Sequence, residues 1–258
     1  MCGEKGLLSV WKVSVFRGSP EIRMIQVHKL MKKNGIYFVS GIDTNIGKSI
    51  ATGMIARYLH RTGRKVITLK LVQTGNVGFS EDIALHREIM GCGLFPEDLA
   101  HLTAPEIYAF PASPHLAAGL EKRPVNLEKI LRAVHELQDH YEFILVEGAG
   151  GLAVPLAENL LTMDFVAQQN WPFILVTSGR LGSLNHTILS VEAVSLRKMK
   201  IAGMIYNESP KADPLIEADS ERMIRKCLIR YRQPEVLVRM PEVHAPDWGD
   251  VDFSPLFS

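Results

Sequence analysis

The sequence has little cysteine and no excess of charge of either sign. Three cysteines lie far apart among 258 residues, and neither they nor the nine scattered histidines have the spacing of a zinc site. So few cysteines are typical of a reducing compartment, and we expect a cytoplasmic protein. The 29 basic and 28 acidic side chains leave a net charge of +1. This balance argues against nucleic acid and membrane surfaces as partners.

Long hydrophobic runs are also absent from the sequence. No apolar run approaches the roughly 18–20 residues that a membrane-spanning helix needs. The N-terminal residues lack the clean apolar block and small-residue cleavage site of a signal peptide. We expect residues 1–34 to form an N-terminal arm of unknown role and residues 35–258 to form a single domain.

What the chain does contain is a regular alternation of short apolar runs and helix-like segments. Strands are predicted at 36–40, 65–71, 143–147, 173–177, 201–207 and 236–240. Helices are predicted at 49–60, 126–140, 184–199 and 215–230. Strands that are apolar throughout are buried on both faces, so the pattern predicts an α/β fold with a parallel β-sheet flanked by helices. The stretch 91–115 is predicted to be a long surface excursion.

A glycine-rich turn follows the first predicted strand, where ligands bind in such sheets. Residues 41–49 have the sequence GIDTNIGKS. Backbone N–H groups of such a turn bind phosphate oxygens, Lys48 adds positive charge, and the Ser49 hydroxyl can ligate Mg²⁺. The general motif has four residues between its glycines and this one has five, so an ordinary strand–turn–helix junction is the alternative. With a strand before it and a helix after it, the turn predicts a P-loop NTPase fold.

Three charged residues near other predicted strand ends complete this pattern. Glu147 ends a strand and precedes glycines, which suits a Mg²⁺ ligand better than a solvated glutamate. Asp82 is equally explained as a metal ligand or as a charge at a helix N-terminus. Lys70 closes an apolar strand, so its ammonium either reaches an anion or extends to solvent.

The combination of these motifs resembles the dethiobiotin synthetase family over residues 35–245. The resemblance rests on GIDTNIGKS at 41–49, KLVQTG at 70–75, SPH at 113–115, VEGAGG at 146–151, LGSLNH at 181–186 and Asn207. The chain departs from residues that are usual in that family at Asn45, Leu71, Gln73 and Arg180. None of these departures removes a catalytic group.

The resemblance implies an ATP- and Mg²⁺-dependent cyclo-ligase of biotin biosynthesis. Such an enzyme forms a carbamate from 7,8-diaminononanoate and CO₂, and ATP converts the carbamate into a carbamic–phosphoric anhydride. The second amine then closes the ureido ring of dethiobiotin and releases phosphate. Phosphoryl transfer to an anionic carbamate requires cations that offset charge repulsion.

The resemblance also implies a role for each matching position. The catalytic residues would be Lys70, Lys48 and Thr44. The nucleotide would contact Asp43, Thr44, Asn45, Ile46, Gly47, Lys48, Ser49, Asn207, Pro241, Glu242 and Val243. The metal ligands would be Ser49, Asp82 and Glu147. The diamine would contact Thr74, Glu147, Gly148, Ala149, Gly150, Gly151, Leu181, Leu184 and Asn185. The last three would come from a partner subunit, which implies a homodimer.

Two other P-loop classes are alternatives. A glutamine-dependent amidoligase normally adds a glutaminase domain, but residues 208–258 are too few for one, and Cys227 lies in a helix-like segment. A partitioning ATPase usually carries a second lysine early in its P-loop and a membrane- or DNA-binding tail. Here no basic residue precedes Lys48 in the loop, and residues 247–258 are short and acidic.

Overall fold

Parallel strands form the centre of the computed structural model, which describes residues 35–257. In chain order the strands are β1 (Gly35–Gly41), β2 (Val66–Lys70), β3 (Gln73–Thr74), β4 (Ile107–Tyr108), β5 (Phe143–Gly151), β6 (Pro155–Ala157), β7 (Leu160–Leu161), β8 (Phe173–Ser178), β9 (Ile201–Asn207) and β10 (Leu237–Met240). Six of them form one sheet in the order β10-β9-β8-β1-β5-β2, and every neighbouring pair is parallel. The predicted α/β fold with a parallel sheet is confirmed. The predicted arm at 1–34 lies outside the described residues.

Helices connect these strands and cover the sheet. They are α1 (Lys48–Arg61), α2 (Glu81–Met90), α3 (Pro96–Leu99), α4 (Pro114–Leu120), α5 (Leu127–Gln138), α6 (Thr162–Gln169), α7 (Ser183–Leu196) and α8 (Pro214–Arg230), with a short 3₁₀ helix at Ser254–Phe257. Side-chain caps begin three of them: Ser80 accepts from the backbone N–H of Ile83, Asn126 from that of Lys129, and Asp213 from that of Leu215. Among the helices of residues 35–257, none has the length and hydropathy of a membrane-spanning segment.

Apolar periodicity does not predict helix α2, although a helix start near Asp82 is one of the two explanations of that residue, and Asp82 does lie in its first turn. Its buried face includes His86 and Arg87 beside apolar residues, so the apolar periodicity of an amphipathic helix is interrupted. This inward polar face lies beside the end of β2, and its contacts are described with the site.

Strand β5 is longer than predicted, because it continues through its glycines to Gly151. The extension runs alongside the end of β1, where Gly41 pairs with Gly151 after a register shift. A Cβ on Gly148 would lie 2.8 Å from the ring of Phe38, and Gly150 has a φ of +68°. Glycine therefore allows β5 to run close to the start of the P-loop.

The prediction that 91–115 is a surface excursion is correct for most of the stretch, but part of it is buried. Asp98, Glu106 and Tyr108 in this stretch are buried. Proline and polar residues favour a surface position, but here arginines neutralise the carboxylates: Arg87 contacts both oxygens of Asp98, at 2.9 and 2.8 Å. Strand β4 in this stretch also pairs with β3.

Candidate active site

A cavity of about 830 Å³ lies at the carboxyl ends of the central strands. The P-loop, the ends of β2 and β5 and the start of α2 line it. The predicted site residues among its walls are Thr44, Asn45, Gly47, Lys48, Ser49, Lys70, Thr74, Asp82, Glu147, Ala149 and Gly150. Four segments that are distant in sequence therefore meet in one cavity, as expected for the edge of a parallel sheet.

The P-loop links β1 to α1, and α1 begins at Lys48. Gly47 has a φ of +94°, and a Cβ there would lie 2.5 Å from Nδ2 of Asn207. That same nitrogen donates to the carbonyl of Ile46 at 3.0 Å. Asn207, at the end of β9, therefore holds the P-loop backbone in a turn that only glycine fits, with the free N–H groups of the α1 N-terminus beside it.

Lys48 is a buried cation with few partners. Lys48 is 7% exposed, and its Nζ donates to the backbone carbonyl of Asp43 at 3.2 Å. Burial lowers the pKa of Lys48. The charge of Lys70 lowers it further, whereas the carboxylates of Glu147, Asp82 and Asp43 raise it by less than burial lowers it. An ammonium in this position at the cavity wall is suited to bind an anion.

Ser49, Lys70, Asp82 and Glu147 form the second charged group, which we call the carboxylate–lysine cluster. Nζ of Lys70 lies 2.6 Å from Oδ2 of Asp82 and 2.7 Å from Oε1 of Glu147. Oγ of Ser49 lies 2.9 Å from Oδ1 of Asp82 and 2.8 Å from Oε1 of Glu147. Lys70 also donates to the carbonyl of Gly148 at 3.2 Å.

The ionisation of this cluster follows from its geometry. Burial raises the pKa of the Glu147 carboxyl, but the Lys70 ammonium and the His86 hydrogen bond outweigh burial and hold that pKa well below its usual value. Burial lowers the pKa of Lys70, but Glu147 and Asp82 outweigh it, so the pKa lies above its ordinary value. Both groups are charged at neutral pH. Lys70 reaches anions and not solvent, and Glu147 is not a solvated strand-end residue.

The donor set of the cluster fits Mg²⁺. Oγ of Ser49 lies within hydrogen-bonding distance of two carboxylate oxygens but carries only one hydrogen. It can therefore donate to only one of them, and the other contact brings two oxygens together with no hydrogen between them. Hydroxyl and carboxylate oxygens are the ligands that Mg²⁺ prefers, with phosphate oxygens and water completing its shell. Within residues 35–257, no cluster of three or more His, Cys, Asp or Glu side chains forms a metal site of its own.

The remaining predicted residues lie at different distances from this centre. Asp43 accepts from the backbone N–H of Thr44 and from Arg180, whose nitrogen lies 2.7 Å away, and the Arg180 hydrogen bond lowers the pKa of Asp43. Ile46 is buried beneath the P-loop. Eleven predicted residues do not line the cavity: Asp43, Ile46, Gly148, Gly151, Leu181, Leu184, Asn185, Asn207, Pro241, Glu242 and Val243.

His86 was not identified from the sequence. Its Nε2 lies 2.8 Å from Oε2 of Glu147, and its Nδ1 lies 3.0 Å from Oγ1 of Thr68. One signal was available: His86 follows Asp82 by four residues, which places both side chains on one face of a helix.

Comparisons with known proteins agree with this geometry. Residues 36–245 match the AAA domain family. An ATP-dependent dethiobiotin synthetase of Pasteurella multocida is 43% identical over 196 residues, covering 76% of this chain and 92% of that protein. A second, from Chlorobaculum tepidum, is 44% identical over 208 residues, covering 81% of this chain and 87% of that protein.

Among solved structures, a ParA family ATPase from Chlorobium tepidum superposes with a TM-score of 0.50 at 15% identity, covering 82% of this chain and 86% of that one. At this identity the likeness shows the P-loop ATPase fold alone. The sequence relatives, by contrast, match at high identity over most of their length. The chain belongs to the ATP-dependent dethiobiotin synthetase family.

Proposed function

We propose that this protein closes the ureido ring of dethiobiotin from 7,8-diaminononanoate, CO₂ and ATP. The observation that carries the proposal is the carboxylate–lysine cluster, which lies beside the P-loop in a cavity large enough for a nucleotide and a small substrate. Transfer of phosphate to a carbamate brings two anions together. A buried lysine between two potential metal ligands is suited to offset that repulsion.

The P-loop residues bind the triphosphate. Backbone N–H groups at the start of α1 and the ammonium of Lys48 face the β- and γ-phosphates, and Thr44 lies at the cavity wall beside them. The burial that lowers the pKa of Lys48 also leaves its charge weakly compensated until a phosphate arrives. Asn207 contributes indirectly, because its bond to Ile46 holds the loop. Asn207, together with residues 241–243, would also contact the base.

Ser49, Asp82 and Glu147 would hold Mg²⁺ with the phosphate oxygens. When bound, Mg²⁺ supplies positive charge that stabilises the transferring phosphoryl group and fixes its orientation. Asp82 and Glu147 hold the Lys70 ammonium at the cavity wall, beside the proposed metal ligands. From there it would contact the carbamate and the incoming phosphoryl group. Thr74, Ala149 and Gly150 line the cavity where the diamine would bind, and Gly148 and Gly151 adjoin them in β5.

A homodimer would complete this site. Leu181 is 88% exposed, and α7 begins two residues later at Ser183. The free N–H groups at this helix start would receive the carboxylate tail of a diamine bound in the partner subunit, with Leu184 and Asn185 beside it. The free thiols of Cys92 and Cys227 agree with a cytoplasmic protein.

The reaction is tested by product analysis. The protein is incubated with the diamine, bicarbonate, Mg²⁺ and ATP, and mass spectrometry should detect the cyclic urea in equal amount to the ADP formed. Lys48→Ala should abolish turnover, because it removes a phosphate-binding cation. ATP hydrolysis without the cyclic urea, or hydrolysis that responds only to DNA or lipid, would contradict the proposal.

The shared site is tested by mixing two variants. Lys48→Ala removes the phosphate cation from a subunit's own site, whereas Asn185→Leu alters the group offered to the partner's site. Each alone should be inactive or severely impaired. Heterodimers formed on mixing contain one site with both groups intact, so activity should reappear. Sedimentation should show a dimer, and a monomeric protein with full activity would contradict this part.

A further inference from the structure

The two oxygens of the Glu147 carboxylate have different partners. Oε1 faces Lys70 and Ser49, whereas Oε2 faces Nε2 of His86 at 2.8 Å. Glu147 and His86 are both fully buried. Water therefore does not compete for either oxygen, and the contact with His86 determines which oxygen points into the cavity.

The hydrogen-bond inventory assigns the proton on His86. The ionised carboxylate of Glu147 only accepts, so Nε2 of His86 carries hydrogen. Arg87 donates to Oγ1 of Thr68 at 2.8 Å. The Thr68 hydroxyl hydrogen is then free to point at Nδ1 of His86, 3.0 Å away. In this arrangement the ring donates to Glu147 through Nε2, and its Nδ1 contacts the Thr68 hydroxyl on the opposite side.

The far end of this network is fixed by a buried ion pair. Arg87 contacts both oxygens of Asp98, and Asp98 also accepts from Oγ1 of Thr103 and from the backbone N–H of Phe95, each at 2.7 Å. Bidentate pairing restricts the guanidinium to one plane. The orientation of His86 is therefore set by groups that lie on the side away from the cavity.

We propose that His86 is a positioning residue that holds Oε2 of Glu147, so that Oε1 alone faces the metal and Lys70. The inference rests on the magnesium site of the proposed function. Residues that orient a metal-ligating group in this way typically affect metal affinity by about 10–100-fold when they are removed. His86 is fully buried and does not line the cavity, so its effect acts through Glu147.

The test uses two amides of different length in place of the imidazole. In His86→Gln the amide nitrogen reaches about as far as Nε2 and restores the donor to Glu147. In His86→Asn the amide is one methylene shorter, so it reaches toward Thr68 and not Glu147. The two variants therefore bury the same polar group and differ in whether Glu147 has its partner.

The readout is Mn²⁺ binding, measured by electron paramagnetic resonance on the full chain with the non-hydrolysable analogue adenylyl imidodiphosphate. We expect His86→Asn to weaken Mn²⁺ binding about 10–100-fold and His86→Gln to stay within about threefold of the parent protein. In turnover assays, His86→Asn should need more Mg²⁺ for half-maximal rate and recover kcat at saturating Mg²⁺. A merely structural role would lower kcat at every Mg²⁺ concentration.

Equal Mn²⁺ affinity in the folded Asn and Gln variants would overturn the inference. If His86→Asn does not fold, Thr68→Val and Thr68→Ser take its place. The valine removes the hydroxyl that orients the ring, so His86 no longer holds Oε2 of Glu147 in place, whereas the serine keeps the hydroxyl. Thr68→Val should bind Mn²⁺ more weakly than Thr68→Ser, and equal affinities would overturn the inference. Absence of Mn²⁺ binding by the parent protein would instead overturn the proposed metal site.

Discussion

The substitution Lys70→Met is the most direct test of the carboxylate–lysine cluster. Methionine preserves most of the side-chain volume but removes the ammonium that lies 2.6 and 2.7 Å from the two carboxylates. The Lys70 side chain is 6% exposed and that of Glu147 is fully buried, so an unpaired buried charge would remain. Removing one partner of a buried ion pair costs about 3–5 kcal/mol of unfolding free energy. The side chain of Asp82 is 24% exposed and gains water, which favours the lower half of this range.

Thermal unfolding measures this cost. For a domain of this size, about 3–4 kcal/mol corresponds to a Tm about 6–16 °C lower. Removing the second charge in Lys70→Met/Glu147→Gln should restore much of the loss. Millimolar Mg²⁺ alone should raise the Tm of Lys70→Met more than that of the parent protein, because Ser49, Asp82 and Glu147 then lack a cation. A Tm within about 2 °C of the parent, or a double variant less stable than the single one, would refute the reasoning.

Three further substitutions test other parts of the site. Lys48→Met should abolish nucleotide binding in calorimetry yet leave the ligand-free Tm unchanged or higher, because burial lowers the pKa of Lys48 and its Nζ donates to the backbone carbonyl of Asp43 and not to a carboxylate. A lower Tm would contradict this. The pKa of Glu147 is lower in the folded than in the unfolded protein, so its stabilisation is complete above pH 4.5 and is lost as the pH falls below it. Urea unfolding between pH 3 and 6 should therefore depend less on pH in Glu147→Gln, and an unchanged slope would contradict the assignment. Gly148→Ala should cost about 1–3 kcal/mol, because its Cβ would meet Phe38, whereas Gly119→Ala, with open space around it, should be neutral or stabilising in the same melts.

The central sheet could be predicted because strands buried on both faces leave continuous apolar runs. The P-loop could be predicted from the glycines, Lys48 and Ser49, since these residue types act through local geometry. Helix α2 could not, because His86 and Arg87 replace apolar residues on its inward face. Their partners, Glu147 and Asp98, are distant in sequence, and periodicity holds no information about such pairs.

The roles of Lys70 and Glu147 illustrate the same limit. Their positions at strand ends indicated that charges would gather at one edge of the sheet. That they contact each other depends on β2 and β5 being neighbours, with Lys70 and Glu147 paired in register. Strand order is a property of the whole fold, and the order of strands along the chain does not reveal it.

The strand order separates two groups of site residues on either side of β1. Strand β1 carries the P-loop in the middle of the sheet, with β5 and β2 on one side and β8, β9 and β10 on the other. The groups suited to phosphoryl transfer, Lys70 and Glu147, come from the first side. Arg180 and Asn207, which hold the P-loop at Asp43 and Ile46, come from the second. Substitutions at Arg180 or Asn207 therefore change how the P-loop is held without removing a group of the carboxylate–lysine cluster, so the loop and the cluster can vary separately during evolution.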